Sequence, residues 1–571
     1  MMDMAMMTEL APSRAFRRLS LAIGLSLAAA APALAQDLPP AEGAAPAAEP
    51  QAGEGEARAP ASRERRPRRV RSDVSAYLEV AQVLSADLDG GETLTYTSVA
   101  AGVDGRVETR RVTAQMSLRY ERSIEWSGGV RDQDAVSGLA AVNAQIVPGA
   151  LSLDAGALAT RTGGDGRVFG VTNRNSAVDV YSAYVGPTLS THAGPLALNA
   201  SYRLGYVKVD DHRAGAALND DFDSSVAHSA TASIGMAPGR LPIGFTVGAG
   251  YAREDSGGRF DQRFEGMYVR GDVVVPIGPT FAVTAGVGYE DIQADQRDLL
   301  RDSSGVPVIG PNGPTPDPNA PRLLTYDQSG MMYDGGVIWR PSPRTELQAR
   351  AGHRYGGTTV TGSLDHRFNE HQGIHAEVFD TVETFGHLLT NDLNGLGNNF
   401  DPNRDPVTGG LSGCVFGARG GSGGSGGCFD RSLAAISGST FRMRGGSLVF
   451  SGERGLWSYG LGAGYAHRRY ARPAVTGFAG SAGTDQVYSV YGSVGRQLSR
   501  TSEINLDAFA SWYDSDVAAD NVTTLGTTLS YTRSLLLERL QLQAALGLYH
   551  SDDGTDATTN ASALGGLRYT F

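Results

Sequence analysis

The chain ends Gly566-Leu567-Arg568-Tyr569-Thr570-Phe571, and this stretch decides the fold. An aromatic residue closes the chain, a second aromatic stands two places back, and a glycine three places before that. Period-2 alternation continues upstream. Ala561, Ala563, Leu567, Tyr569 and Phe571 share one face, and Asn560, Ser562, Arg568 and Thr570 share the other. A strand needs such a split when one side meets lipid and the other a polar lumen. Gly566, Tyr569 and Phe571 are therefore read as the terminal-strand signature, and the assembly signal, of an outer-membrane β-barrel. A polar residue is usual two places before the glycine, whereas this chain has Leu564. The same ending could close a soluble sandwich, so the rest of the sequence must decide.

The alternation recurs along the chain. Val112, Ala114, Met116, Leu118 and Tyr120 oppose Thr113, Gln115, Ser117, Arg119 and Glu121. Leu196, Leu198, Ala200, Tyr202 and Leu204 oppose Asn199, Ser201 and Arg203. Phe281 to Tyr289, Trp457 to Tyr465 and Leu540 to Leu548 repeat the pattern, with aromatics gathered at segment ends, as interfacial girdles require. The segments run about 12–16 residues, beyond the 5–6 of soluble strands and the 9–11 that cross a bilayer. This length favours a barrel over a sandwich.

The N-terminus reads as an export signal. Arg14, Arg17 and Arg18 precede an apolar run from Leu19 to Ala30, and Ala33-Leu34-Ala35 is an A-x-A cleavage site. Residues 1–35 are thus a signal peptide. Past them no apolar run reaches the length of a membrane helix, and mean hydropathy is -0.21. A helical membrane protein is excluded and a barrel is not, because alternation hides apolar residues from a hydropathy window. Residues 36–73 are a Pro/Ala/Glu/Gly linker without periodicity. It closes on Arg63-Glu64-Arg65-Arg66-Pro67-Arg68-Arg69-Val70-Arg71, either a solvated basic run or a contact for anionic headgroups, a cell-wall polysaccharide or an acidic periplasmic partner. Net charge is -12, which argues against nucleic acid as a partner.

Connections alternate in length. Short Pro/Gly turns stand at 147–149, 193–195, 237–239, 277–279 and 341–343, and longer polar loops at 161–176, 210–223, 293–327, 383–439 and 468–485. Short periplasmic turns and long outer loops are the barrel pattern. The expectation is an all-β transmembrane antiparallel barrel over 74–571, of about 22 strands within a range of 18–24. It is expected to have no plug domain, since the linker is too short to supply one. Something must still narrow so wide a lumen. The 383–439 loop, folded inward, is the candidate. Arg119, Glu121, Arg203, Glu346, Arg350, Arg354, Asp507 and Arg568 fall on the inward faces and are candidate lumen-lining charges.

The two cysteines, Cys414 and Cys428, bracket a Gly/Ser-rich stretch inside that loop. In an oxidising envelope they are expected to form a local disulfide, worth roughly 3 kcal/mol in the chain-entropy model. No catalytic, cofactor or metal site is expected. His371 and His375 sit on a turn and strand, where a four-residue spacing does not converge on a metal. Asp401-Pro402-Asn403-Arg404-Asp405 starts like a calcium loop but lacks its sixth-position glycine and twelfth-position glutamate. No spacing of Ser, His and Asp marks a hydrolase.

Tyr77 to Leu88 and Thr95 to Asp104 resemble the opening of a family of large Gram-negative outer-membrane barrels, as do Ser117-Leu118-Arg119-Tyr120-Glu121, Gly286 to Asp291 and Trp339-Arg340-Pro341-Ser342. Members often carry the label "preprotein translocase subunit YajC". The accessory protein of that name is a short inner-membrane protein with one transmembrane helix, and the resemblance here implies a barrel instead. The family is otherwise similar to uncharacterised exopolysaccharide-associated barrels, and it brings no functional residues. The expected partners are outer-membrane lipid and glycolipid and the barrel assembly machinery. The expected function is a channel or export pore for small solutes or glycans. The alternative is a non-conducting envelope scaffold or surface-polymer anchor, and an outer-membrane hydrolase stands third.

Overall fold

The computed structural model describes residues 71–91, 93–127, 133–162, 178–211, 222–239, 241–258, 260–310, 313–396, 400–401, 404–410, 414–417, 426–433, 436–471, 483–516, 521–537 and 539–571. The signal peptide, most of the linker and nearly all of the Arg63–Arg71 run lie outside these residues. Among the described residues one antiparallel sheet of 22 strands runs from Arg71–Asp87 to Ala557–Thr570. Each strand pairs with its neighbours in the chain. The last pairs with the first, from Tyr77↔Thr570 to Asp87↔Asn560, and closes the cylinder. Closure removes both sheet edges, so no backbone donor or acceptor row is left facing lipid.

The strands alternate as the sequence requires, but with polarity opposite to a soluble core. Leu78, Val80, Val269, Val287, Leu546 and Leu567 are exposed on the outside, while Glu79, Arg119, Asp179, Arg270, Asp272, Glu290 and Arg354 are buried inside. Exposed aromatics form two belts. Phe281, Trp339, Trp457, Tyr569 and Phe571 stand near the rim that holds both chain ends. Tyr206, Tyr289, Tyr465, Tyr488 and Trp512 stand toward the other. An apolar exterior between aromatic belts around a charged interior is the surface a bilayer solvates. The chain is an outer-membrane β-barrel protein.

One rim carries tight turns. Gly149 and Gly194 sit there at φ 74° and 62°, a conformation that costs a residue with a Cβ. This is the periplasmic rim. At the opposite rim the strand Phe281–Gln296 pairs with Leu323–Ser342 across residues 297–322. Gln372–Glu383 likewise pairs with Phe441–Arg454 across residues 384–440. Residues 88–112 hold one strand, Thr93–Glu108.

The expectation of a barrel with no plug is corrected. Between Glu383 and Phe441 the described residues leave the sheet and enter the lumen as a helix, Phe385–Gly395, and short pieces of strand, packed on inward residues of the wall. A short N-terminal linker excludes only a plug domain placed before the barrel, and the 383–439 loop named above as the element that narrows the lumen supplies this one, inserted within it.

Candidate functional site

The lumenal inset is the candidate site, and its contacts with the wall define it. The helix Phe385–Gly395 places Phe385, Leu389 and Leu393 four residues apart, on one stripe. That stripe packs on inward residues of the nearly opposite wall: Leu139, Leu158, Val178, Val180, Val207 and Val209. Phe385 meets Phe222 edge to face, ring centroids 5.0 Å apart. Leu388, on the other flank, joins Phe441, Met443, Tyr470, Val487 and Tyr513. Complete burial of the three stripe residues contributes about 1.5–3 kcal/mol each, an upper estimate. Gly386 permits the approach. A Cβ there would lie 2.0 Å from Ser225 Oγ and 2.6 Å from Glu254 Oε1. Thr384 Oγ1 donates to Glu254 Oε2 where the inset begins, and His387 Nδ1 lies 2.5 Å from Glu383 Oε2.

The middle of the inset reaches the seam of the barrel. Asp405 Oδ2 accepts from Tyr549 Oη at 2.7 Å and Thr528 Oγ1 at 2.8 Å. Its Oδ1 accepts from the amides of Val407 and Thr408 at 2.8 and 2.9 Å, which holds the turn. Val407 is buried among Ala81, Val83, Leu94, Tyr96 and Leu564. Gly409, at φ 70°, sits against Glu121. Arg404 donates to the Ser117 carbonyl at 3.0 Å and to Ser137, with no carboxylate partner among the described residues. Burial lowers the pKa of its guanidinium from the ordinary value, opposed by Tyr77 and abetted by Arg119. At neutral pH it stays charged.

The end of the inset is tied by ions. Arg431 lies 2.6 Å from Glu377 and 2.5 Å from Asp392, over the Phe379 ring at 4.7 Å. Burial lowers the Arg431 pKa, but the two carboxylates outweigh it and the net direction is upward. Cys414 and Cys428 are direct register partners of the short strands Cys414–Gly417 and Gly426–Cys428. Their side chains, and with them the expected disulfide, lie outside the described residues.

The expected lumen charges all belong to inward faces, and most are matched by neighbours rather than left to solvent. Arg119 bridges Glu79 at 2.9 Å and Glu121 at 3.0 Å, and Ser98 donates to Glu121 at 2.7 Å. Arg350 meets Asp272 at 2.7 Å and Asp334 at 3.1 Å, and Arg270 meets the same two carboxylates. Arg354 pairs with Glu290 at 2.9 Å, and Glu346 with Arg340 at 2.6 Å. Arg203 lies over Tyr184 at 5.7 Å. Arg568 pairs with Asp104 and covers the Tyr77 ring at 3.4 Å. Thr527 donates to the carbonyl of Asp507. These are separate clusters around the wall, not one convergent site. His375 pairs with Asp365 at 2.8 Å, apart from His371.

Sequence reasoning missed the wall partners of the inset: Tyr96, Ser137, Thr528 and Tyr549. It also read Arg404 and Asp405 only as the start of a failed calcium loop. The apolar spacing of Phe385, Leu389 and Leu393 was the available signal for the helix. Beneath Arg404, toward the periplasmic rim, lies a cavity of about 430 Å³ lined by Asp73, Tyr77, Asp104, Arg106, Arg404 and Arg568, among others.

No protein-family model matches the chain, and no curated protein does. Solved structures of similar architecture do. The FrpB iron transporter of Neisseria meningitidis (F5-1 variant) is 10% identical with a TM-score of 0.42, over 87% of this chain and 83% of that one. The siderophore receptor PiuA of Acinetobacter baumannii is 12% identical with a TM-score of 0.41, over 87% and 82%. The ferric-catecholate import receptor Fiu of E. coli is 9% identical with a TM-score of 0.41, over 86% and 81%. These neighbours are transporter and receptor barrels. Residues 1–70 of this chain lie outside the described residues. Likeness at this level carries no ligand across.

Proposed function

We propose that the protein is a gated passage for small hydrophilic solutes across the outer membrane, closed in this conformation by residues 384–440, with no catalytic role. One observation carries the reading. The inset is fastened to three sectors of the wall by contacts of different kinds: an apolar stripe, hydrogen bonds of Arg404 and Asp405 to wall hydroxyls and carbonyls near the seam, and a half-buried ion-pair cluster around Arg431. A segment held by several separable contacts around an otherwise charged lumen is built as a closure that can be released in parts. The backbone register of Cys414 and Cys428 suits a disulfide, because direct antiparallel partners stand about 4.5–5.5 Å apart at Cα, within the disulfide range. Such a bond would stiffen the far end of the inset.

The buried apolar cluster favours a second reading, a sealed scaffold. Its burial alone holds the helix down by several kcal/mol. Osmotic swelling of proteoliposomes separates the two. A variant with residues 390–435 replaced by a short Gly/Ser linker should admit small sugars and amino acids faster than wild type. A correctly inserted, heat-modifiable variant that admits none supports the scaffold.

A further inference from the structure

We propose that the cavity beneath Arg404 is a binding site for a small hydroxylated carboxylate at the periplasmic end of the lumen. The inference deepens the passage reading by naming a solute class. The cavity lies between the first residues of the strands Arg71–Asp87 and Val112–Ser127 and the last residues of Thr93–Glu108 and Ala557–Thr570. All four positions adjoin the rim of tight turns, so the cavity faces the periplasm. Its roof is the inset itself, through Arg404. At about 430 Å³ it falls within the range of small-molecule sites.

Its charges are unequally matched. Arg568 is satisfied by Asp104, which also accepts from Ser117 Oγ at 2.7 Å. Arg404 is different. It is half-buried, and among the described residues its bonds run to the hydroxyls and carbonyls of Ser117 and Ser137. A half-buried guanidinium given only neutral acceptors is electrostatically under-compensated. Arg106 lines the same cavity, exposed and with no ion-pair partner among the described residues. Two guanidinium groups therefore offer planar forks that match a carboxylate. Across from them, Asp73 is exposed and has no ion-pair partner among the described residues, and it and Ser75 can accept from or bond to hydroxyl groups. A bare inorganic anion would use the first set and leave the second. A neutral polyol would do the reverse. A hydroxylated carboxylate satisfies both.

Because Arg404 belongs to the closure, a bound anion would contact the inset and the wall together. Occupancy and the position of the inset are thereby linked.

Isothermal calorimetry on the full chain in detergent micelles tests the site, with gluconate, sorbitol and inorganic phosphate as probes. Gluconate should bind at least about tenfold more tightly than either sorbitol or phosphate. Arg404→Gln and Arg106→Gln should each weaken gluconate at least about tenfold, the order expected for a lost charge-assisted hydrogen bond. Arg106 anchors nothing, so its variant keeps the test valid if Arg404→Gln disturbs the inset. Equal binding of gluconate and sorbitol, equal binding of gluconate and phosphate, no gluconate binding, or unaltered affinity in Arg106→Gln would each overturn the proposal. The measurement does not need conduction. Gluconate binding by a protein that never conducts would defeat the passage reading and leave the site standing.

Discussion

Leu389→Ala is the sharpest perturbation of the closure. Leu389 is 0% exposed and lies at the centre of the stripe that seats the helix Phe385–Gly395 on the wall. Truncation removes buried methyl groups and leaves a cavity, at a cost of about 2–5 kcal/mol. Alanine is the better helix former, so the helix itself is not weakened. The loss falls on docking. At about 1.4 kcal/mol per tenfold, the undocked population should rise about 30-fold to several thousand-fold. Native-state amide hydrogen exchange reads this directly. Amides of Phe385–Gly395 should lose protection by that factor, while those of Leu196–Asp211 and Gly244–Ser256, in the wall beneath, keep theirs, because the closed sheet opens only globally. Unchanged exchange in the helix would refute the claim that the apolar stripe holds the inset. A parallel loss in helix and strands would refute the claim that the inset opens on its own.

Gly386→Ala puts a methyl group into Ser225 and Glu254, so swelling assays should show faster solute entry in a barrel of normal heat-modifiability. An unchanged rate would mean that the two wall side chains yield freely. Mass spectrometry of non-reduced peptides should find Cys414 joined to Cys428, and two free thiols would dismiss the disulfide. Deleting Phe571 removes the amide that bonds to the Ala76 carbonyl at 2.9 Å and one ring of the periplasmic belt. The yield of heat-modifiable barrel should fall, and an equal yield would deny Phe571 a part in assembly.

The barrel was legible because its physics is local. Each strand carries its own two-faced alternation, and the last strand carries its own closing signature from Gly566 to Phe571. Inward-facing residues follow from the same parity, which is why Arg119, Arg350 and Arg568 could be assigned to the lumen without a structure. Their partners were not legible. Arg350 reaches Asp272, a residue 78 positions away, and strand parity does not specify which neighbour a long side chain meets. The inset was legible as a long loop that must do something, and illegible as an anchored object. Its helix is short, with Gly386 and Thr390 inside it, and such a segment forms because the wall buries its stripe rather than through propensity. The roles of Arg404 and Asp405 depend wholly on Ser117, Ser137, Thr528 and Tyr549, which only the closed barrel brings near.

Single-channel recording in planar bilayers, comparing wild type with the variant shortened across 390–435, tests the central claim most directly. If residues 384–440 close the lumen, wild type should show rare, brief openings and the shortened variant a stable, larger conductance. A shortened barrel that inserts yet stays silent, or a wild type that conducts as freely as the variant, would contradict it.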